Sequence, residues 1–426
     1  MTSAATQQDR SPLAWTSEYR SVAGTLENFT RWLDRYGETS WDHQSFFAGR
    51  VGSRAKSLYY GHRIVGTVAV APMILCEALL PSARRLFHHR TRFPIADAHY
   101  AMGFAFLYRA TGKPWFLERA RHFLEELKRS RCPGFAEHCW GYPFDWVTRN
   151  GIIPAQTPLI TSTPYGYEAF HQVWEIDGGQ EQKEILESIA RHAALDIRDF
   201  RTSETASSCS YTPCGFEGVV NAAAYRAFLL TSATHVLGRQ EYWGIAERNL
   251  NFVLESQNAD GSWFYAIDGV RDFVDHFHTC FVLKALAKIH TLTQHQACLA
   301  ALTAGVAYYL DHLCDQDGLP RPFSRAPRLT VYRGELYDCA ECINLCLLLR
   351  DQFPQVERVL SAVVAWILRD WIRPDGSFRS RRLWLGWDNV PMHRWAQAQM
   401  FRSLAFLLCE MGSDTARRHT RLSART

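Results

Sequence analysis

Two kinds of helix alternate along this chain, and the alternation restricts its fold more than any other feature. Segments 98–108, 164–174, 219–230, 279–289, 339–349 and 394–408 are small and apolar on every side. They begin at intervals of roughly 55–70 residues, which marks an internal repeat. Between them, segments 116–127, 183–194, 242–254, 299–312 and 356–371 carry one apolar face and one charged face. A helix apolar all round is buried, whereas a one-faced helix forms an outer wall. The pattern therefore predicts an all-α fold: a single α/α toroid, a six-hairpin-like barrel of inner and outer helices. The last inner helix has no outer helix after it. The amphipathic segment 25–36, ended by Gly37, would supply that wall and close the ring. The apolar stretch 64–80 fits neither class and reads as a seventh hairpin or a plug. No linker rich in Pro, Gly or Ser divides the chain. One toroid domain is expected over 23–412, with a loose N-terminus over 1–22 and a basic flexible tail over 413–426.

Composition excludes several classes. Of 426 residues, 47% belong to the set AVILMFWYC and 21% are charged, so the chain is neither disordered nor low-complexity. A net charge of +4 gives no electrostatic case for nucleic acid or for an anionic membrane. The stretch 64–80 is short for a membrane span and carries Glu77, so a buried helix is expected there. The first residues lack a basic segment followed by an apolar one, which points to the cytoplasm. Most of the 12 cysteines sit in apolar helical runs and read as reduced thiols. Cys339 and Cys342 form a lone CxxC without a second ligand pair, and no metal or cofactor is expected. The sequence has no Walker loop, GxSxG elbow or HExxH helix.

The loops repeat as well. Residues 257–263 read QNADGSW, residues 373–378 read RPDGSF, and residues 315–319 give a looser copy. Asp-Gly supplies a turn with positive φ. Short hairpins are expected near 261–265 and 376–378. The Gln257–Trp263 run resembles the glutamine–tryptophan repeat of squalene-hopene cyclases and other prenyltransferase-like toroids, which implies a bracing role. The acidic DxDD motif of those cyclases is missing. A longer set of runs spans about residues 90–410. It comprises WGYPFDW at 140–146, TSTPYGYE at 161–168, CSYTP at 209–213 and DFVDHFHT at 272–279. Together they resemble toroid proteins encoded with bacterial exopolysaccharide and capsule synthesis. That resemblance implies a glycan substrate, and other polysaccharide-synthesis proteins as partners.

Candidate chemistry lies in the aromatic loops before inner helices. Trp140, Tyr142 and Trp146 offer ring faces suited to sugars, and Tyr165 follows in the next run. Asp145 among those rings would lose water and gain the raised pKa of a general acid; alternatively it caps a turn. Asp275, His276 and His278 crowd the mouth of an inner helix. Asp275 fits as an N-cap. The two histidines, at i and i+2, would not share a helix face, which argues against a shared metal and for one imidazole oriented by a carboxylate. The plainer alternative is a cap with packed histidines. Asn221 and Tyr225 share a face at i, i+4, where Tyr225 could abstract a proton beside a uronate, or form a buried pair. Arg333 could hold a sugar carboxylate, and Glu335 or Asp338 could partner Asp145 or Asp275 as a glycosidase pair; alternatively all three serve as caps and surface charge. Trp387 and His393 belong to a last aromatic group read as wall or rim. Three functions follow: a glycan-processing hydrolase, lyase or epimerase; a non-catalytic glycan-binding or assembly toroid; and a terpene cyclase-like or prenyltransferase-like enzyme.

Overall fold

The computed structural model describes residues 12–423, with side chains placed for 17–412. The chain opens with α1 (Pro12–Tyr36), a short α2 (Ser45–Ala48) and a helical pair, α3 (Arg50–Gly61) and α4 (Arg63–Leu79). Five helical hairpins then repeat. They are α5 (Pro94–Thr111) with α6 (Pro114–Arg129), α7 (Thr163–Asp177) with α8 (Gln180–Arg191), α9 (Val220–Val236) with α10 (Trp243–Glu255), α11 (His276–Thr293) with α12 (Gln296–Tyr308), and α13 (Leu336–Leu349) with α14 (Val356–Trp366). The chain ends on α15 (Ala398–Ser423). Helices α5, α7, α9, α11, α13 and α15 touch in sequence, and α15 packs back on α5. This is the α/α toroid expected from the alternation.

The missing outer wall is α1. Val22, Leu26, Phe29 and Leu33 form one buried stripe. Phe29 stacks on Phe401 of α15 and on Phe378, both at 5.2 Å. Burying one such side chain contributes about 1.5–3 kcal/mol. The helix begins at Pro12, inside the stretch expected to be loose. Residues 1–11 and 424–426 lie outside the described residues. At the other end, α15 runs to Ser423 through most of the segment expected as a tail.

Nine short strands occur among the described residues, all in loops that precede inner helices. They are β1 (Trp146–Thr148), β2 (Gly151–Ile153), β3 (Asp199–Arg201), β4 (Ser207–Cys209), β5 (Val274–Asp275), β6 (Phe323–Arg325), β7 (Tyr332–Glu335), β8 (Arg381–Leu383) and β9 (Trp387–Asp388). They pair as antiparallel ribbons of two or three strands. The hairpins expected near 261 and 376 are reduced to single bridges, Gln257 to Trp263 and Ile372 to Phe378. The Asp-Gly turns are as expected, with φ of 90° at Gly261, 82° at Gly318 and 94° at Gly376. Gln257 and Trp263 brace the hairpin end: the Gln257 amide donates to the Ala301 carbonyl, and the Trp263 indole donates to Val253. At Gly261 a Cβ would lie 2.4 Å from the Ala304 carbonyl oxygen. Substituting Gly261→Ala therefore combines a strained φ with a clash. We expect a loss of at least about 1 kcal/mol in urea unfolding.

Helices α3 and α4 are neither a seventh hairpin in the ring nor a plug inside it. They lie across the loop end as a cap, with α3 against β1. Three buried ion pairs pin the cap region to the loop and turn that lead into α15: Asp42–Arg394, Glu77–Arg381 and Arg84–Asp388. The buried helix expected over 64–80 is buried on one side only: Glu77 is inside, but Ile64, Val68 and Leu75 are exposed.

Candidate active site

The loops before the inner helices converge at one end of the barrel, and one dyad there is built for proton transfer. Asp275 is the N-cap of α11 and accepts the His278 backbone N–H at 3.1 Å. Its carboxylate also holds His278 Nδ1, at 2.7 Å from Oδ2 and 2.9 Å from Oδ1. An ionised carboxylate only accepts, so Nδ1 carries the proton and Nε2 keeps its lone pair. The cap thus sets both the backbone and the tautomer. His278 is half-buried while Asp275 is buried. Together with Asn221, Trp263, Tyr265 and Phe273, the dyad lines a small, narrow cleft. The Asn221 amide oxygen is buried with no hydrogen-bond partner, an acceptor aimed at something other than the protein.

An aromatic lining runs from this dyad to the first aromatic loop. His278 meets Tyr265 at 4.6 Å and Phe277 at 4.3 Å between ring centres. Phe277 meets Trp395 at 5.6 Å. The Arg394 guanidinium lies 4.7 Å from the Trp395 ring centre and 4.3 Å from that of Tyr142, which touches Trp146. Asp42 fixes Arg394 in a fork, at 2.6 and 3.0 Å. Burial alone would raise the Asp42 carboxyl, but Arg394 holds it well below the usual range. Neither Asp42 nor Arg394 was singled out in the sequence. They are 352 residues apart, and no local pattern announces such a pair.

The axis below is polar and filled. The Tyr165 and Tyr225 hydroxyls meet at 2.5 Å. Lys284 pairs with Glu341, Lys288 with Glu168, and Arg402 lies 3.9 Å from Glu168. Burial works against ionised Glu168, yet Lys288 and Arg402 bring it down to about 2. The folded state therefore binds fewer protons than the unfolded one between that value and the ordinary 4.5. The stabilisation is complete above about pH 4.5 and fades as pH falls towards 2. Thermal unfolding followed from pH 6 to pH 2 should show Tm falling across this window. In Glu168→Gln the fall should be shallower.

The remaining candidates fall in different places. Asp145 is exposed and its carboxylate accepts the Ala155 N–H at 2.9 Å. It is a turn cap, and the desolvation expected for a general acid is absent. Trp140 is fully buried: its indole N–H donates to Leu127, and its ring lies against Gly166, where a Cβ would sit 2.4 Å away. No face of it is free for a sugar. His276 is buried on the other side of α11, bonded to the Tyr309 hydroxyl at 3.0 Å. Tyr165 and Tyr225 are both buried, and burial pushes both phenols far above their usual range. Tyr225 is thus a proton donor in a network rather than a base.

Arg333 is exposed and stacks on Trp384, so it faces solvent rather than a substrate carboxylate. Glu335 is buried and spent on Arg381 at 2.6 Å. Asp338 is buried, with Oδ1 3.6 Å from His276 Nδ1. Burial, and then the carboxyls of Glu335 and Asp275, push its carboxyl well above the usual range. Trp387 packs on Trp371 and His393 is fully buried between Tyr100 and the Gly37 carbonyl, both as wall. Burial lowers His393 to about 3. Among the described residues no group of three or more His, Cys, Asp or Glu is arranged to hold a metal ion.

No protein-family model matches the chain, and no curated protein matches it by sequence. Solved structures do match in fold. A cellobiose 2-epimerase from Bacillus thermoamylovorans B4167 superposes with a TM-score of 0.60 at 10% identity, over 76% of this chain and 89% of that one. An unsaturated glucuronyl hydrolase specific for heparin gives 0.60 at 9% identity, over 95% and 98%. A polysaccharide lyase gives 0.54 at 10% identity, over 81% and 97%. At these identities the likeness is one of fold.

Proposed function

We propose that this toroid is a carbohydrate-active enzyme that moves a proton at a sugar carbon, as an epimerase or a lyase does, with His278 as the acid/base. The observation that carries this reading is His278 itself: an imidazole held by a buried carboxylate, with Nε2 free in an aromatic pocket. Abstracting a proton next to a carbonyl or carboxylate needs one such base and a donor for the developing oxyanion. Hydrolysis needs two carboxyls flanking one bond. Asp275 is occupied by His278, Glu335 by Arg381, Asp338 is buried beside His276 at 3.6 Å, and Asp145 caps a surface turn, which leaves that pair unsupplied. The polar axis, with Glu168 and Glu341 each paired to a lysine, offers no acidic pair for starting a carbocation and no apolar bed for a polyprene.

The fold-level likeness to a sugar epimerase, a lyase and a glucuronyl hydrolase supports a sugar as substrate. The similarity of the aromatic runs to exopolysaccharide and capsule toroids supports a chain made for the cell surface, with other proteins of that synthesis as partners. All twelve cysteines are free, which fits work in the reducing cytoplasm. In this reading Trp146 stacks on the substrate, and Asn221 accepts from one of its hydroxyls.

The test is incubation of the purified protein with neutral and uronate-containing oligosaccharides in heavy water, read by mass spectrometry. One deuterium gained without cleavage identifies epimerisation, and an unsaturated fragment identifies elimination. Two saturated fragments with no carbon-bound deuterium would replace this reading with hydrolysis. Binding without any change would favour the non-catalytic toroid, in which Trp146→Ala weakens binding and His278→Ala has no effect.

A further inference from the structure

The cap turns an unusual surface outward. On α4 the buried residues are Gly66, Val70, Met73 and Glu77, with Gly66 against Tyr59 of α3 and Glu77 paired to Arg381. The opposite stripe is aliphatic and open: Ile64 is 83% exposed, Val68 71% and Leu75 59%, with Val65 and Leu79 beside them. At about 100° per residue these five fall within one quadrant or so of the helix. Leu80 and Leu86 past its end, and Val51 at the start of α3, are exposed as well. Contiguous large aliphatic side chains in water signal a surface that is covered in use.

The charge around this stripe is one-sided. Residues 41–92 hold eight Lys and Arg against two Asp and Glu, Asp42 and Glu77. Both acids are consumed in the buried pairs with Arg394 and Arg381. Arg50, Arg54, Arg63 and Arg85 are exposed, and among the described residues none of them pairs with a carboxylate. The rest of the chain is correspondingly acidic, so the mild net charge of +4 conceals a basic cap.

We propose that the outward face of α3 and α4 docks on an anionic lipid bilayer. The aliphatic stripe would enter the interface while the flanking arginines meet lipid phosphates, the arrangement by which amphipathic helices bind membranes without crossing them. No described helix is long and apolar enough to cross. A second copy of the chain is a poorer occupant, because pairing two such faces would bring like-charged arginines together. Residues 1–11 are a poor cover as well, since Met1 is their one large apolar side chain. The proposal does not depend on the reaction assigned to His278.

The test is flotation of the full chain with vesicles, at physiological ionic strength. Binding to vesicles with about one-third phosphatidylglycerol should exceed binding to pure phosphatidylcholine by about tenfold or more, and should fall in high salt. Val68→Glu with Leu75→Glu should abolish it, and Arg50→Glu with Arg54→Glu should weaken it. Both pairs of changes are on exposed positions, and an unchanged thermal melt verifies folding. If the first pair impairs folding, Val68→Ser with Leu75→Ser replaces it. Equal failure to bind either vesicle by folded protein overturns the proposal. So does a concentration-dependent dimer in sedimentation that Val68→Glu dissociates, because the occupant is then a second copy.

Discussion

His278→Ala should lower kcat by about two to four orders of magnitude while leaving the fold and KM nearly unchanged. The size follows from what one positioned acid/base contributes to a proton transfer. The side chain is half-buried at the mouth of α11, so its removal opens the pocket rather than a void in the core. Asp275→Asn should produce a comparable loss by another route. The amide can present N–H to Nδ1, which moves the ring proton to Nε2 and occupies the lone pair the reaction needs. The capping interaction with the His278 backbone would largely survive, because an Asn side chain caps about as well as Asp. The control is His276→Gln. That ring is buried and bonded to Tyr309, so its loss should appear in unfolding and not in kcat. If His276→Gln abolished turnover while His278→Ala retained it, the assignment of the base would be wrong. The readings are steady-state kinetics on whichever oligosaccharide takes up deuterium, together with urea unfolding of each variant.

The contrast between these two histidines shows what the sequence could and could not reveal. The i, i+2 spacing separates them on a helix, and Asp275 before them reads as a cap, but the spacing does not say which ring the carboxylate holds. The toroid was legible because burial on all sides and burial on one side leave different periodicities, and even the closing role of α1 follows from counting walls. Exposure within loops was not legible. Trp140 and Trp146 lie in one run, yet one is core against Gly166 and the other is only partly buried, against Tyr142 and Tyr211. Loop backbone has no fixed period, so ring orientation depends on distant partners. Asp145 looked desolvated for the same reason, and it proved to be a surface cap. Arg394 and Asp42 were missed because their pairing spans most of the chain.

The cap depends on one such long-range pairing, and breaking it should be the costliest single change outside the apolar core. Arg381 lies buried between Glu335 of β7 and Glu77 of α4, 2.6 Å from each. Arg381→Ala leaves two buried carboxyls without their cation, and losing one partner of such a group costs about 3–5 kcal/mol. The deficit should depend on pH in a definite sense. Burial already raises the Glu335 carboxyl above its usual range even with Arg381 opposing it. Without the guanidinium it should rise further. A carboxyl raised in the folded state destabilises only while it is ionised there. The Glu335 part of the deficit is therefore full above its folded pKa, shrinks as pH falls through that value, and is gone below the ordinary 4.5. Urea unfolding at pH 8 and pH 5 should show the variant closer to the parent at the lower value. Replacing all three together, as Arg381→Met with Glu335→Gln and Glu77→Gln, should recover much of the stability, since the cost lies in unpaired charge and not in the missing pair. Hydrogen exchange would locate the damage. In Arg381→Ala the amides of 50–79 should lose protection before those of the barrel, because the cap loses its Glu77 tie, whereas α5 to α15 still hold one another through the ring.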